Sequence, residues 1–183
     1  EPTGDLERLA RALKTQWQIP AIEIDFTVLK TLQTVLRKGK WQITVALNKT
    51  ADDATPRVIA AWSGLHEAGH FGLAIDLGST TIAGHLTNLV TGEVIASSGV
   101  MNPQIRFGED LMSRVSYAMM NKGGDVEMTR AVREAIDTLT LEVAQEAGID
   151  AALILETVFV CNPVMHHLLL GIDPVELGQA PFA

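Results

Sequence analysis

The sequence predicts an α/β protein with two parts of different texture. Residues 1–62 are predicted to be a small α+β module, because apolar residues recur at helical spacing first and two short strand-like stretches follow. In residues 71–183, three closely spaced strands come first, and helices, another strand and a last helix follow. Residues 63–70 break both patterns and are predicted to connect the two parts.

The first part opens with two predicted helices. Gly4 and Asp5 are suited to start the first, and Pro20 ends it. Asp25 is suited to cap the second, and Gly39 lies just past its basic end. Their apolar faces consist of Leu6, Leu9, Ala10, Leu13 and Trp17 in the first helix and Leu29, Leu32, Val35 and Leu36 in the second.

Two strands complete the first part. Residues 41–47 alternate between apolar and polar side chains, and residues 57–62 form an apolar stretch after a turn at 52–56. Trp17, Trp41 and Trp62 all fall in this part, where we expect them in core or interface packing.

The second part opens with strands predicted at 72–76, 80–89 and 94–100. A tight turn at 77–79 joins the first pair, and Thr91 with Gly92 forms a two-residue turn between the second pair. Helices are predicted at 108–120 and 126–147, a buried strand at 157–160, and a short helix at 163–170 with Gly171 as its C-cap.

Composition and charge exclude several classes of protein. The 183 residues carry 22 acidic and 14 basic side chains and a net charge of -8, which disfavours nucleic acid as the main ligand. No apolar run is long enough to cross a membrane. The single cysteine, Cys161, excludes a disulfide framework or a cysteine-ligated cluster within these residues, and a cytoplasmic location is expected. The chain starts without Met and ends without a closing element, which we interpret as a fragment.

The strongest local signal is a glycine turn that follows an acidic residue at a strand end. Asp76 precedes Gly78, and Ser79, Thr80 and Thr81 supply hydroxyl groups. Glycine permits positive φ and close backbone approach, and successive N–H groups bind anions, so the turn is suited to phosphate. Asp76 could hold Mg²⁺ through water. It is not a Walker loop, because the turn enters a strand, and an ordinary β-turn is the alternative.

The turn resembles the first phosphate motif of the actin, sugar-kinase and heat-shock-chaperone ATPase superfamily. Three ordered blocks together resemble one family more narrowly, the ATP-dependent reductive activators of corrinoid-dependent proteins. The blocks are residues 72–81 (GLAIDLGSTT), 102–114 (NPQIRFGEDLMSR) and 161–171 (CNPVMHHLLLG), followed by Pro181 and Phe182. By this resemblance, residues 71–183 are the first subdomain of an actin-like ATPase fold, and residues 1–62 are the linker.

The resemblance implies a modular redox ATPase. Its members have an N-terminal [2Fe-2S] domain, a linker and an ATP-binding domain in two halves, so the cluster and the second half are expected outside these residues. The family reduces inactive cob(II)amide to cob(I)amide on a corrinoid methyl-transfer protein, with ATP and Mg²⁺. The implied partner is that corrinoid protein, and a homodimer is also implied. The phosphate ligands would be Asp76, Gly78, Ser79, Thr80 and Thr81, with Asp76 also facing Mg²⁺.

Other candidate residues each have a structural and a functional interpretation. Arg106 and Asp110 either belong to the start of a helix, where acids complement the helix dipole, or face the nucleotide or partner. Asn162 is either an N-cap before Pro163 or a polar contact of the nucleotide. Cys161 is expected to be a buried thiol, because no activating base or cation stands beside it in the sequence.

Two other functions stay open at the level of the sequence. A small-molecule kinase of the same superfamily would need a catalytic base near the γ-phosphate, and no base stands out. A scaffold that has lost the nucleotide would show no stabilisation by Mg-ATP.

Overall fold

The computed structural model describes residues 3–49 and 55–179, and the chain divides into two compact units. The N-terminal unit is Glu1–Gly69 and the C-terminal unit is His70–Ala183. The predicted α/β class is confirmed, with mixed sheets flanked by helices. Most of the turn predicted at 52–56, and Pro181 and Phe182 of the third block, lie outside the described residues.

The N-terminal unit has two helices and a three-stranded sheet. Its elements are α1 (Asp5–Trp17), β1 (Glu23–Ile24), α2 (Phe26–Lys38), β2 (Ile43–Asn48) and β3 (Arg57–Ser63). Strand β3 lies in the middle, antiparallel to β2 and parallel to β1. Strand β1 was not predicted, since two residues are too short to show an alternating pattern. The core consists of Leu9, Leu13, Val28, Leu32, Leu36 and Val58.

The predicted starts of both helices are confirmed. The Glu7 side chain accepts a hydrogen bond from the N–H of Gly4 (3.1 Å), and the Asp25 side chain accepts one from the N–H of Thr27 (2.8 Å). Hydrogen bonds from Thr27 hold the pKa of Asp25 below its ordinary value.

Of the two kinds of packing expected for the tryptophans, core packing is not found for Trp17 and Trp41, and interface packing stays a prediction. Trp17 is 72% exposed and Trp41 is 50% exposed. The guanidinium groups of Arg8 and Arg37 lie over the Trp41 ring, with their central carbons 4.9 and 5.2 Å from the ring centre.

The C-terminal unit is built on a four-stranded mixed sheet. Its strands are β4 (Phe71–Leu77), β5 (Thr81–Asn88), β6 (Val94–Met101) and β7 (Ile154–Cys161), and its α-helices are α3 (Leu111–Met120), α4 (Gly124–Ala147) and α5 (Pro163–Leu170). Short 3₁₀ helices occupy Pro103–Phe107, Ala151–Leu153 and Val175–Gly178. The strand order is β6-β5-β4-β7, with β7 parallel to β4 and the other pairs antiparallel. The predicted opening of three antiparallel strands is therefore confirmed.

Three details of this unit differ from the prediction. The connection between β5 and β6 is longer than two residues, because the Asn88 side chain accepts hydrogen bonds from Val90 and Thr91 and organises a wider loop. Helix α3 begins at Leu111 instead of residue 108, since Gly108 ends a separate 3₁₀ helix and Asp110 is the N-cap of α3. Strand β7 is not buried throughout: Val158 and Val160, which pair with the exposed Ala74 and Asp76 of β4, lie on a face of the sheet that no helix of the described residues covers and are 55% and 69% exposed.

One face of the sheet carries the core of the C-terminal unit. Alternate residues of β4 and β5 pack beneath the helices, and the buried apolar residues include Leu73, Ile75, Leu77, Ile82, Leu86, Met128, Val132, Leu139 and Val143. Gly84 permits the close approach of α4, since a Cβ there would lie 3.1 Å from Cδ2 of Leu139. The opposite face, which we call the outer face, exposes Ala74, Asp76, His85 and Val160.

Candidate functional site

The glycine turn joins the two central strands, β4 and β5, at one end of the four-stranded sheet. Strand β4 ends at Leu77 and β5 begins at Thr81, so residues 78–80 form the connection. The register places Leu77 beside Cys161 at the end of β7, and Thr81 beside Met101 at the end of β6. The structure therefore brings the turn together with the segments that begin at Asn102 and Asn162.

Gly78 is required by close backbone approach and not by its φ. Its φ lies outside the left-handed region, and its N–H donates to the carbonyl oxygen of Thr81 (3.0 Å). A Cβ at this position would lie 2.7 Å from that same oxygen. Of the two uses that the sequence suggested for this glycine, only the close approach is realised.

Three consecutive carbonyl groups of the turn accept hydrogen bonds from residues beneath it. The carbonyl oxygen of Gly78 accepts from Nδ2 of Asn102 (2.9 Å), and that of Thr80 accepts from the backbone N–H of Asn102 (2.8 Å). Between them, the carbonyl oxygen of Ser79 accepts from Nη2 of Arg114. The inner side of the turn is thus fixed at each of its three peptide units.

The donors belong to a group of three fully buried polar side chains, Asn102, Gln104 and Arg114, which we call the buried polar cluster. Oδ1 of Asn102 accepts from the N–H of Gln104 (2.9 Å), and Nε2 of Gln104 donates to the carbonyl oxygen of Met128 in α4 (3.0 Å). Nε of Arg114 donates to the carbonyl oxygen of Gly108 (2.9 Å), and Nη1 contacts Sδ of Met165 in α5 (3.3 Å). Most polar atoms of the cluster are therefore satisfied by backbone and not by other charges.

Arg114 is a buried cation whose hydrogen bonds all go to uncharged acceptors. Burial lowers the pKa of its guanidinium group below the ordinary value, and the nearby charge of Asp110 opposes this in part. No ion pair of Arg114 is found in the described part of the chain. The positive charge of Arg114 therefore lies beneath the turn without an ion-pair partner in the described residues.

The outer side of the turn presents N–H groups. In a trans peptide the C=O of one residue and the N–H of the next point in opposite directions. Because the carbonyls of Gly78, Ser79 and Thr80 face the buried polar cluster, the N–H groups of Ser79, Thr80 and Thr81 face away from it. Within residues 3–49 and 55–179, the N–H groups and hydroxyls of Ser79 and Thr80 have no hydrogen-bond partner. Such a row of N–H groups binds anions.

Asp76 lies on the outer face, two residues before Gly78. Its side chain is exposed, and its residue pairs with Val160 of β7 and Ala83 of β5. Burial first, and the Asp76 carboxylate second, raise the pKa of the Cys161 thiol above its ordinary value. Cys161 is partly buried and packs against the core, so the thiol is not an activated nucleophile.

The other predicted residues have structural contacts of their own. Oδ1 of Asn162 accepts from the N–H of Met165 (3.0 Å) and so caps α5, and Oδ1 of Asp110 accepts from the N–H of Ser113 (2.8 Å) and caps α3. The hydrogen bonds from Ser113 hold the pKa of Asp110 below its ordinary value. Arg106 is exposed and its guanidinium carbon lies 4.7 Å from the ring centre of Phe107. Roles of these three residues toward a ligand or partner stay predictions.

Sequence reasoning missed the buried polar cluster. Asn102, Gln104 and Arg114 fall in the second block of the resemblance, but no functional role followed from their spacing. A signal was present, since an arginine flanked by the apolar residues of an amphipathic helix is a candidate for burial. The sequence could not show that Arg114 donates to the carbonyl oxygen of Ser79, because Ser79 lies 35 residues away.

The described residues contain neither a membrane-spanning helix nor a cluster of metal-binding side chains. None of their helices is both long enough and apolar enough to span a membrane. In the same residues, no three His, Cys, Asp or Glu side chains gather into a group that could hold a metal ion.

Comparisons with known proteins follow the division of the chain. The family model described as the RACo middle region matches residues 71–183, and that of the RACo linker region matches residues 1–68. The corrinoid activation enzyme RamQ of Eubacterium limosum is 34% identical over 112 residues, which are 61% of this chain and 19% of that protein.

A solved structure, a reductive activator for corrinoid, iron-sulfur protein, is similar over 100% of this chain. The sequence identity is 32%, the TM-score is 0.81, and 28% of that protein is covered. The resemblance inferred from the three sequence blocks is confirmed. The chain spans less than a third of the length of either relative.

Proposed function

Because the chain belongs to the RACo family, whose linker and middle regions it matches, we propose that it is part of an ATP-dependent reductive activator. The whole protein would return inactive cob(II)amide to cob(I)amide on a corrinoid methyl-transfer protein. Two relatives support this function: one is named a corrinoid activation enzyme, the other a reductive activator for corrinoid, iron-sulfur protein. The contribution of the present residues would be the first phosphate-binding turn of the ATP site.

The conformation of the glycine turn carries this proposal. Three consecutive N–H groups, from Ser79, Thr80 and Thr81, face away from the buried polar cluster, and the hydroxyls of Ser79 and Thr80 are unpaired in the described part of the chain. These groups suit the phosphates of ATP. Asp76, exposed on the outer face, would hold the associated Mg²⁺ through water.

The charge of the C-terminal unit makes a local site necessary. Residues 70–183 contain fourteen acidic and five basic side chains, so the general field of this unit repels a triphosphate. Attraction must come from groups in direct contact, which here are backbone N–H groups and hydroxyls above a buried guanidinium. The turn is thus the place in this unit where a phosphate would be favoured.

The chemistry of the whole protein needs parts beyond these residues. One cysteine cannot ligate a [2Fe-2S] cluster, so the cluster would belong to another region of the longer protein. Electron transfer to cobalt would be coupled to ATP by population shift, because the nucleotide must favour a complex in which cobalt is easier to reduce. The partner is a corrinoid protein, and a homodimer stays a prediction.

The experiment that tests this function uses the full-length protein, purified anaerobically, with its corrinoid protein in the cobalt(II) state and a reductant. The visible spectrum reports cobalt(I), with and without Mg-ATP. We expect cobalt(I) only with Mg-ATP, and a strong loss in a Thr80→Ala variant. Thr87→Ala is the matched control, because Thr87 is a threonine near the far end of β5, seven positions from Thr80, and should behave as wild type.

Two results would reject the proposal in favour of the alternatives. If Mg-ATP makes no difference while the corrinoid protein is competent, the activator function is wrong. Phosphate transfer to a small molecule would then indicate a kinase, and the absence of any stabilisation by Mg-ATP would indicate a scaffold. If Thr80→Ala and Thr87→Ala are equally active, the Thr80 hydroxyl is not a phosphate ligand and its proposed role is wrong.

A further inference from the structure

We infer that Asn102 and Arg114 are positioning residues, which hold residues 78–80 in the conformation that receives phosphate. The inference rests on the proposed function, because it assigns a role within the same ATP site. Neither residue would touch the nucleotide. Both act through the backbone of the turn, from its buried side.

The first argument is the one-to-one pairing of carbonyls and donors. Nδ2 of Asn102, Nη2 of Arg114 and the N–H of Asn102 each take one carbonyl, from Gly78, Ser79 and Thr80 in that order. Rotation of any of these peptide units would break one of the three bonds and turn an N–H away from the ligand side. The cluster therefore fixes the orientation of the N–H groups before a ligand arrives, so binding need not order them.

The second argument is that the cluster is rigidly supported. Gln104 donates to the carbonyl oxygen of Met128, Arg114 donates to that of Gly108, and both Asn102 and Arg114 contact Sδ of Met165. Met128 lies in α4 and Met165 in α5, and Gly108 lies two residues before the Asp110 cap of α3, the helix that contains Arg114. The turn is thus anchored to three helices of the core and not only to its own hairpin.

The third argument is the charge of Arg114. A fully buried guanidinium without an ion pair in the described residues is unfavourable unless an anion approaches it. It donates to the Ser79 carbonyl, and the N–H of the same peptide unit, that of Thr80, points to the opposite side. The bond therefore polarises this peptide unit in the direction that favours an anion at the Thr80 N–H.

The test uses the full-length protein and compares binding of Mg-ATP with binding of adenosine, by calorimetry. Adenosine lacks the phosphates, so the ratio of the two affinities isolates the phosphate contribution. We expect Arg114→Met to lower the Mg-ATP affinity at least about tenfold and to leave the adenosine affinity nearly unchanged. Arg114→Lys, which keeps the charge but lacks the forked donors, should lie between wild type and Arg114→Met.

The control and a second readout separate positioning from a general loss of structure. Arg133→Met removes an exposed arginine whose Nε also donates to a backbone carbonyl, that of Leu169 (2.9 Å), and it should leave the ratio unchanged. Hydrogen exchange in the ligand-free protein should accelerate at the N–H groups of Gly78 and Asn102 in Arg114→Met, and not in Arg133→Met. If Arg114→Met does not fold, Arg114→Lys is measured in the same way.

The possible outcomes distinguish this inference from the proposed function. If wild type prefers Mg-ATP to adenosine and the Arg114 variants keep that preference, the inference is wrong and the proposed function stands. If both affinities fall equally, Arg114 is only structural and the inference is again wrong. If wild type shows no preference for Mg-ATP, the proposed phosphate site is wrong. The exchange rates at Gly78 and Asn102 then decide whether Arg114 fixes the turn at all.

Discussion

Cys161 and Asp76 both lie where β7 and β4 end beside the glycine turn, and the Asp76 carboxylate should affect the chemistry of the thiol. Burial raises the pKa of the thiol, and the Asp76 carboxylate raises it further. A raised pKa leaves little thiolate at neutral pH, so we expect slow alkylation by iodoacetamide, with a midpoint in its pH profile above that of a free thiol. In Asp76→Asn the midpoint should move down but stay above the free value, because burial, the larger cause, remains.

The rate can be followed by mass spectrometry of the peptide that contains Cys161. Glu156→Gln is the control. It neutralises a carboxylate of β7, the strand that contains Cys161, and this carboxylate does not contribute to the raised pKa of Cys161. An alkylation rate at pH 7 equal to that of a free thiol would contradict this account. So would a shift in Glu156→Gln as large as that in Asp76→Asn.

At the scale of one element, α5 depends on a cap that also lies at the candidate site. Asn162 accepts from the N–H of Met165, and Pro163 occupies the first helical position. Asn162→Ala should lower the free energy of unfolding by about 1 kcal/mol, and Asn162→Asp should restore it, since a carboxylate caps equally well. Urea unfolding measures both.

The aspartate variant also tests the predicted contact between Asn162 and the nucleotide. If that contact exists, Asn162→Asp will be as stable as wild type but bind Mg-ATP more weakly, because a second carboxylate faces the phosphates. Equal binding would leave Asn162 as a cap alone. Asn162→Ala with unchanged stability would contradict the capping role.

The elements that the sequence predicted well are those with local signals. Asp25, Gly39 and Gly171 mark helix ends through their own side chains or backbone, and all three lie where expected. The exposure of Val158 and Val160 could not be predicted, because a run of apolar residues looks the same whether helices cover both faces of its sheet or only one. Strand β1 exists only through its pairing with β3, which no local pattern encodes.

The candidate site also has a part that could be predicted from local sequence and a part that could not. Residues 76–81 could be recognised because the glycine, the hydroxyls and the acid are adjacent in sequence. The donors beneath the turn could not, because Asn102 and Arg114 reach it from segments 24 and 35 residues away. Motif reasoning therefore finds the surface that faces a ligand, and only the packed structure shows what holds that surface in place.

At the scale of the whole molecule, two separate cores predict that substitutions act on one unit at a time. Leu32 belongs to the core of the N-terminal unit and Leu139 to that of the C-terminal unit, and both are almost fully buried. Replacing either with alanine should cost about 2–5 kcal/mol of stability, from lost burial and the cavity that remains. We expect each loss to appear only in the unit that contains the substitution.

The sequence provides a probe for each unit. All three tryptophans, Trp17, Trp41 and Trp62, belong to the N-terminal unit, so tryptophan fluorescence during urea unfolding reports that unit alone. Hydrogen exchange of α4 reports the C-terminal unit. Leu32→Ala should shift the fluorescence midpoint and spare α4, and Leu139→Ala should do the reverse. If either variant moved both readouts by similar amounts, the two cores would form one cooperative unit, and the division into two independently stabilised parts would be wrong.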